Sequence, residues 1–175
     1  MHARVLSLLG ISPEHPKGRE LWATPRPDRL VIQYQRPADV RWLPDGYHTA
    51  ARHHPVRVDW PEGARVRWAL VGNPVRCRSV YRADGTRRGV RVVRHDPIEW
   101  ARSRLPMLEH HRIEIVDQHT AVGQRPRGQT VTHRRVRYVG VGTVLDPVAL
   151  AAAIRSGVGP GKAYGCGLLV IGGVA

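Results

Sequence analysis

The sequence predicts an α+β protein made of two ferredoxin-like (βαββαβ) domains in tandem, the first lacking its first strand. Three observations predict it. From residue 64 onward the elements read strand with a hairpin return, helix, strand, strand, helix, strand. Asp96-Pro97-Ile98-Glu99 and Asp146-Pro147 are strong helix starts, with an aspartate to cap and a proline at the first helical position. Residues 1 to 60 read helix, strand, strand, short helix, strand, which is the same order without its opening strand. The Pro61-Glu62-Gly63 turn marks the boundary, giving domains over residues 1–60 and 63–175.

Each element has its own justification. Val5, Leu6, Leu8 and Leu9 form the apolar stripe of a first helix that Gly10 stops. Glu20 to Thr24 and Arg29 to Gln35 read as strands around the Pro25-Arg26-Pro27-Asp28 turn. Pro37 to Leu43 reads as a helical turn, and Pro55 to Trp60 as a strand with Val56, Val58 and Trp60 on one face. In the second half, Val66, Trp68 and Leu70 alternate with Arg65 and Arg67, so one face is core and the other basic. Asn73-Pro74 ends that strand. Arg76 to Arg88 reads as an arginine-rich connection around Asp84-Gly85, and Gly89 to Val93 returns as a strand. The helix after Asp96 buries Ile98, Ala101, Leu105 and Leu108, and Pro106 ends it. Arg112 to Asp117 is a short strand, Gly123 to Gln129 a basic loop, and Val131 to Leu145 a long strand. The helix after Asp146 closes at Gly157, and Tyr164 to Ile171 is the last strand.

Composition narrows the function. A chain of 175 residues can bury a core, although phenylalanine is absent and five Trp and five Tyr supply the aromatic bulk. The formal net charge is +14, and Lys17 and Lys162 are the only lysines. Arginine's planar fork binds phosphate at two points and stacks on bases, which favours a nucleic-acid partner. No basic amphipathic helix and no apolar run of membrane-spanning length occurs, so a membrane partner is not expected. Cys77 and Cys166 form no CxxC and are expected as reduced core residues of a cytoplasmic protein. The pairs His53-His54 and His110-His111 lack zinc spacing, because neighbours on a strand point opposite ways; no metal and no cofactor are expected.

The densest signal is Gly157-Val158-Gly159-Pro160-Gly161-Lys162-Ala163-Tyr164-Gly165-Cys166-Gly167-Leu168-Leu169, with five glycines in its first eleven residues. A helix-to-strand turn usually needs one; five imply close approach of another backbone or of a phosphate. It is neither a P-loop nor a dinucleotide loop: Ser156 and Ala163 replace the required Gly and Ser/Thr, and Lys162 takes a glycine position. A flexible turn and a merely solvated basic surface stay open as readings of the residues alone.

Two ferredoxin-like halves with a glycine-rich loop before the last strand resemble the repeat-associated RNA-binding superfamily of CRISPR systems. The 157–169 stretch is similar to the C-terminal motif of its CasE family, the repeat-processing endoribonuclease of type I-E Cascade. Spacing, Pro160, Lys162 and Cys166-Gly167-Leu168-Leu169 agree. Arg67-Trp68-Ala69-Leu70-Val71-Gly72-Asn73-Pro74 resembles the family's mid-chain strand, and Val139 to Pro147 its strand into the last helix.

The resemblance implies metal-independent cleavage at the base of a CRISPR repeat stem-loop by 2′-hydroxyl attack. The enzyme then stays on the mature crRNA beside other Cascade subunits. It implies His2 as the catalytic histidine, on the first helix. The family's first strand, and a tyrosine one helical turn before that histidine, have no counterpart in these residues, so an incomplete first domain is expected. Arg125, Arg127, Arg134 and Arg135 match a basic hairpin that enters the repeat stem. Gly157, Gly159, Gly161 and Gly165, with Lys162, are expected at the RNA backbone, although Lys162 is equally placed to cap the last helix. A non-catalytic crRNA-binding subunit and an unrelated basic RNA-binding protein are the alternatives.

Overall fold

The computed structural model of the protein describes residues 20–26, 29–34, 52–124 and 130–174. The expected first helix with His2, the helical turn at Pro37 to Leu43, and Arg125 and Arg127 lie outside the described residues.

The alternating residues become strand β3, Arg65–Gly72, with Val66, Trp68 and Leu70 buried and Arg65 and Arg67 exposed. It lies between β7, Thr130–Val144, and β8, Leu169–Gly173, and β6, Leu108–Gln124, pairs with the far side of β7. All three pairings are antiparallel, in the order β6-β7-β3-β8. Helix α1, Pro97–Arg104, precedes β6 and helix α2, Pro147–Ser156, precedes β8. That order is the ferredoxin-like arrangement expected for the second half.

Both helices begin as their sequences dictate. The Asp96 carboxylate accepts from the Glu99 amide at 2.9 Å, and Asp146 accepts from the Ala149 amide at 2.9 Å. Each satisfies an amide that has no partner within its own helix. Asp96→Ala is therefore expected to cost about 1 kcal/mol, read as a lower urea midpoint at unchanged slope.

Trp60, Val66, Trp68, Leu70, Trp100, Tyr138, Leu150 and Ile154 fill the core between the helices and one sheet face. Trp100, not Ile98, is the large side chain that α1 buries; Leu105 and Leu108 are buried just after the helix, which ends before Pro106 as expected.

Several extents differ from expectation. Residues 55 to 60 run without ladder bonding, because no neighbouring strand is offered to them among the described residues. Instead Trp60 seals one end of the core, its indole donating to the Arg57 carbonyl at 3.2 Å under the Arg57 guanidinium. The arginine-rich connection is a hairpin: β4, Val75–Tyr81, pairs with β5, Arg87–Arg94. Asp84 accepts from the Thr86 amide at 2.8 Å to shape its turn. β6 extends through His119 and Thr120 to Gln124, where the sequence shows no apolar alternation. Its length is set by the ladder it shares with β7. The last strand starts at Leu169 rather than Tyr164, since residues Lys162–Tyr164 form a turn of 3-10 helix.

From the first half, β1, Leu21–Arg26, and β2, Arg29–Gln33, form an antiparallel hairpin with Trp22 opposite Ile32. Leu21, Ala23, Val71, Cys166 and Leu168 make a second, smaller core that ties β1 to the end of β3 and to the glycine loop.

Candidate nucleic-acid interface

The glycine loop, residues 157 to 168, closes on itself before it meets anything else. The Val158 amide donates to the Gly167 carbonyl at 2.8 Å, Tyr164 to Gly161 at 2.8 Å, and Gly165 to Lys162 at 3.2 Å. Cys166 donates to Gly161 at 3.3 Å, and Gly167 donates to Val71 of β3 at 2.7 Å. These amides are therefore engaged within the protein. The close approach that the glycines announced is made largely by tryptophans. A Cβ on Gly159 would lie 2.6 Å from the Trp100 ring, and one on Gly165 would lie 2.5 Å from the Trp22 ring. Both backbones also have positive φ, +73° and +76°, where a side chain is strained. At Gly157 and Gly167 a Cβ would meet backbone oxygen at 2.9 Å, which is the other expected cause.

Lys162 reaches back along the loop. Its ammonium donates to the Ser156 carbonyl at 2.6 Å, the last residue of α2, where the helix dipole favours a cation. The capping role is thus the one observed.

The start of β7 brings the basic run against this loop. Arg134 and Arg135 separate there, because neighbours on a strand face opposite ways. Arg134 donates to the Gln118 side chain of β6 at 2.9 Å. Arg135 turns inward, contrary to its expected place on an RNA-facing surface: it is 9 % exposed. Its guanidinium donates to Thr24 Oγ1 at 2.9 Å and to the Gly165 carbonyl at 3.3 Å, linking β1 to the loop. Among the described residues no carboxylate pairs with it and its Nε has no acceptor. Arg137 repeats the link one step along, donating to the Pro25 carbonyl at 2.9 Å.

His133 opens the same strand. The Asn73 amide, at the end of β3, donates to its Nδ1 at 3.1 Å, and its ring lies 4.0 Å from that of Tyr164 in the loop. Gly161 passes beside Asn73, where a Cβ would sit 3.5 Å from the asparagine Cβ. The loop, the end of β3 and the turn end of the β6–β7 hairpin therefore share one polar joint of Asn73, His133 and Tyr164. None of the three is among the candidates read from sequence. Their signals were present, in Asn73-Pro74, in the basic run and in the glycine motif, but periodicity does not connect residues 73, 133 and 164.

Burial sets the chemistry of the remaining groups. Cys166 is a free, fully buried thiol whose pKa burial pushes up to about 11 against the opposing effect of Arg135, which makes it a core residue as expected. Burial also raises the Tyr138 hydroxyl, whose ring stacks on Trp100 at 5.9 Å. His110 donates from Nε2 to the Leu105 carbonyl at 3.0 Å, and burial lowers its pKa against the opposing effect of that hydrogen bond. His111 bonds instead to Thr143 Oγ1 at 2.8 Å, so the adjacent pair diverges. Among the described residues no helix is long and apolar enough to cross a membrane.

The comparisons with known proteins agree with this architecture. A sequence family described as CRISPR associated protein matches residues 1–172. The CRISPR-associated endoribonuclease Cse3 of Thermus thermophilus is 28% identical, with 98% of this chain and 88% of the relative covered. A solved structure of the CRISPR endoribonuclease Cse3 bound to a 19-nucleotide RNA superposes with a TM-score of 0.74 at 26% identity, covering 98% of this chain and 88% of that one. A chain of a CRISPR RNA-guided surveillance complex shares the fold, with a TM-score of 0.73 at 22% identity, covering 99% and 88%. With the glycine motif, the ferredoxin-like sheet and a family match across nearly all its length, the chain belongs to the CRISPR-associated protein family of endoribonuclease Cse3.

Proposed function

We propose that this chain is a metal-independent endoribonuclease that cuts CRISPR precursor RNA at the base of the repeat stem-loop and remains on the mature crRNA as a Cascade subunit. The observation that carries the reading is the joint between the glycine loop and the turn end of the long β6–β7 hairpin, in a chain of net charge +14. The family relationship supports it, since one relative is named an endoribonuclease and a related solved structure holds RNA. The cytoplasm is the compartment proposed with that RNA-processing role.

The chemistry needs a base, an acid and donors for developing charge. The attacking 2′-hydroxyl loses its proton as its oxygen bonds to phosphorus. The 5′-oxygen leaves with a proton, giving a cyclic phosphate and a 5′-hydroxyl. His2 is the proposed group for one of these transfers. Arg125 and Arg127, on the connection between β6 and β7, and Arg134 at its base are proposed to hold the stem, reading phosphates and shape rather than the deep groove's bases. Gly157, Gly159, Gly161 and Gly165 form the rigid floor on which the RNA backbone lies. Arg135 and Lys162 hold that floor together rather than reach for phosphate. Residues 1–60 and 63–175 are the proposed domains, joined through β1.

The test uses the purified chain and an end-labelled repeat stem-loop from the same genome, in EDTA. One cut is expected, lost with a 2′-deoxy nucleotide at the site and slowed at least about 100-fold in His2→Ala, the lower range for a positioned acid or base. Tight binding without a cut identifies a non-catalytic crRNA-binding subunit. Binding no tighter than to random RNA overturns the assignment.

A further inference from the structure

A cavity of about 380 Å³ opens between β2, residues 52–58 and the last turn of α2, on no element the stem is proposed to touch. Its wall combines four kinds of group. The Tyr34 hydroxyl and His53 Nδ1 share a hydrogen bond, and the rings meet edge to face with centroids 5.9 Å apart. Val58 supplies apolar floor, and Arg52 and Arg155, both exposed, supply positive charge. Glu20, the one carboxylate among the described lining residues, offers an acceptor to an exocyclic amino group.

We propose that this cavity binds one unpaired nucleotide of the RNA flanking the repeat stem, with the base against Tyr34 and His53 and the phosphate between Arg52 and Arg155. The inference rests on the RNA-processing reading above and adds a subsite to it. The volume lies at the small end of ligand sites, about 300–1,000 Å³, as suits a single nucleotide. Aromatic faces beside arginines are how single-stranded RNA is held without base pairing. The position is continuous with the proposed RNA path. Gln33 of β2 donates to the Ile154 carbonyl at 3.0 Å, fastening the cavity wall to α2. Arg155 follows, and Gly157 begins the glycine loop two residues later.

The experiment measures the affinity of the full chain for two RNAs at one salt concentration, each carrying a 2′-deoxy nucleotide at the cut site: the blunt repeat stem-loop, and the same stem-loop with three unpaired nucleotides on either side. The wild type is expected to bind the flanked RNA about tenfold more tightly, the scale of one stacked base. Tyr34→Ala and Arg155→Gln are expected to remove that increment and leave blunt-stem affinity unchanged. Tyr34→Phe, which keeps the ring, retains most of it. Arg155 is an exposed helix residue, so its variant tests the site even if Tyr34→Ala does not fold. A 5-iodouridine in the flank is expected to crosslink to Tyr34 or His53. No increment in the wild type, an increment that survives Arg155→Gln, or crosslinks only elsewhere overturns the subsite, while cleavage of the repeat stem-loop still upholds the processing role. Failure to bind either RNA overturns both.

Discussion

Trp100→Ala is expected to destabilise the protein by about 3–5 kcal/mol, the range for removing a buried large aromatic. The indole is 2 % exposed and touches three parts of the fold at once. It stacks on Tyr138 of β7, and it fills the space that a Cβ on Gly72 of β3 or on Gly159 of the glycine loop would otherwise enter, at 2.4 and 2.6 Å. Removing it leaves a void that none of these backbones can close, because each is held by its own ladder or loop bonds. Urea unfolding measures the loss; a change under about 1 kcal/mol would show that the core collapses around the gap. The same void should relieve Gly159. Gly159→Ala, costly alone, is expected to cost less in the Trp100→Ala background, and a double-mutant cycle reads the difference.

Gly165→Ala is the second large effect. Its backbone sits at φ +76°, and the added methyl would lie 2.5 Å from the Trp22 ring. Left-handed strain costs about 1–2 kcal/mol and the steric overlap about 1–3 kcal/mol, so a loss of about 3 kcal/mol is expected. For a chain of this size that lowers the melting temperature by about 6–12 °C. Function should fall as well, since the Gly165 carbonyl accepts from Arg135, which also holds Thr24 of β1. A variant that keeps its melting temperature but loses RNA binding would assign Gly165 to the ligand instead of to this packing.

The two halves of the chain meet on groups that recognise one another without any sequence pattern. Arg135 and Arg137 donate to Thr24 and Pro25, and Gln33 donates to Ile154, each across more than 100 residues. Side by side in the sequence, Arg134 and Arg135 are indistinguishable as candidates for RNA. The strand puts one on the β6 side and buries the other beneath the loop. The sequence left Lys162 open between a helix cap and RNA, and the fold brings its ammonium to a carbonyl six residues back.

What the sequence determined by itself was whatever depends on near neighbours. Asp96 and Asp146 announced their helices because each caps an amide three residues on. Arg65-Val66-Arg67-Trp68 announced β3, because a strand with one buried face must alternate. Element order then led to the ferredoxin-like sheet, and five glycines in eleven residues announced a close approach. The tertiary structure alone decided what approached. It selected the Trp22 and Trp100 indoles, made β4 from the arginine-rich connection as the partner of the expected return strand β5, lengthened β6 along β7, and joined Asn73, His133 and Tyr164. Those outcomes depend on partners far away in the chain, and backbone hydrogen bonding and close packing leave no periodic trace of a distant partner in the local sequence.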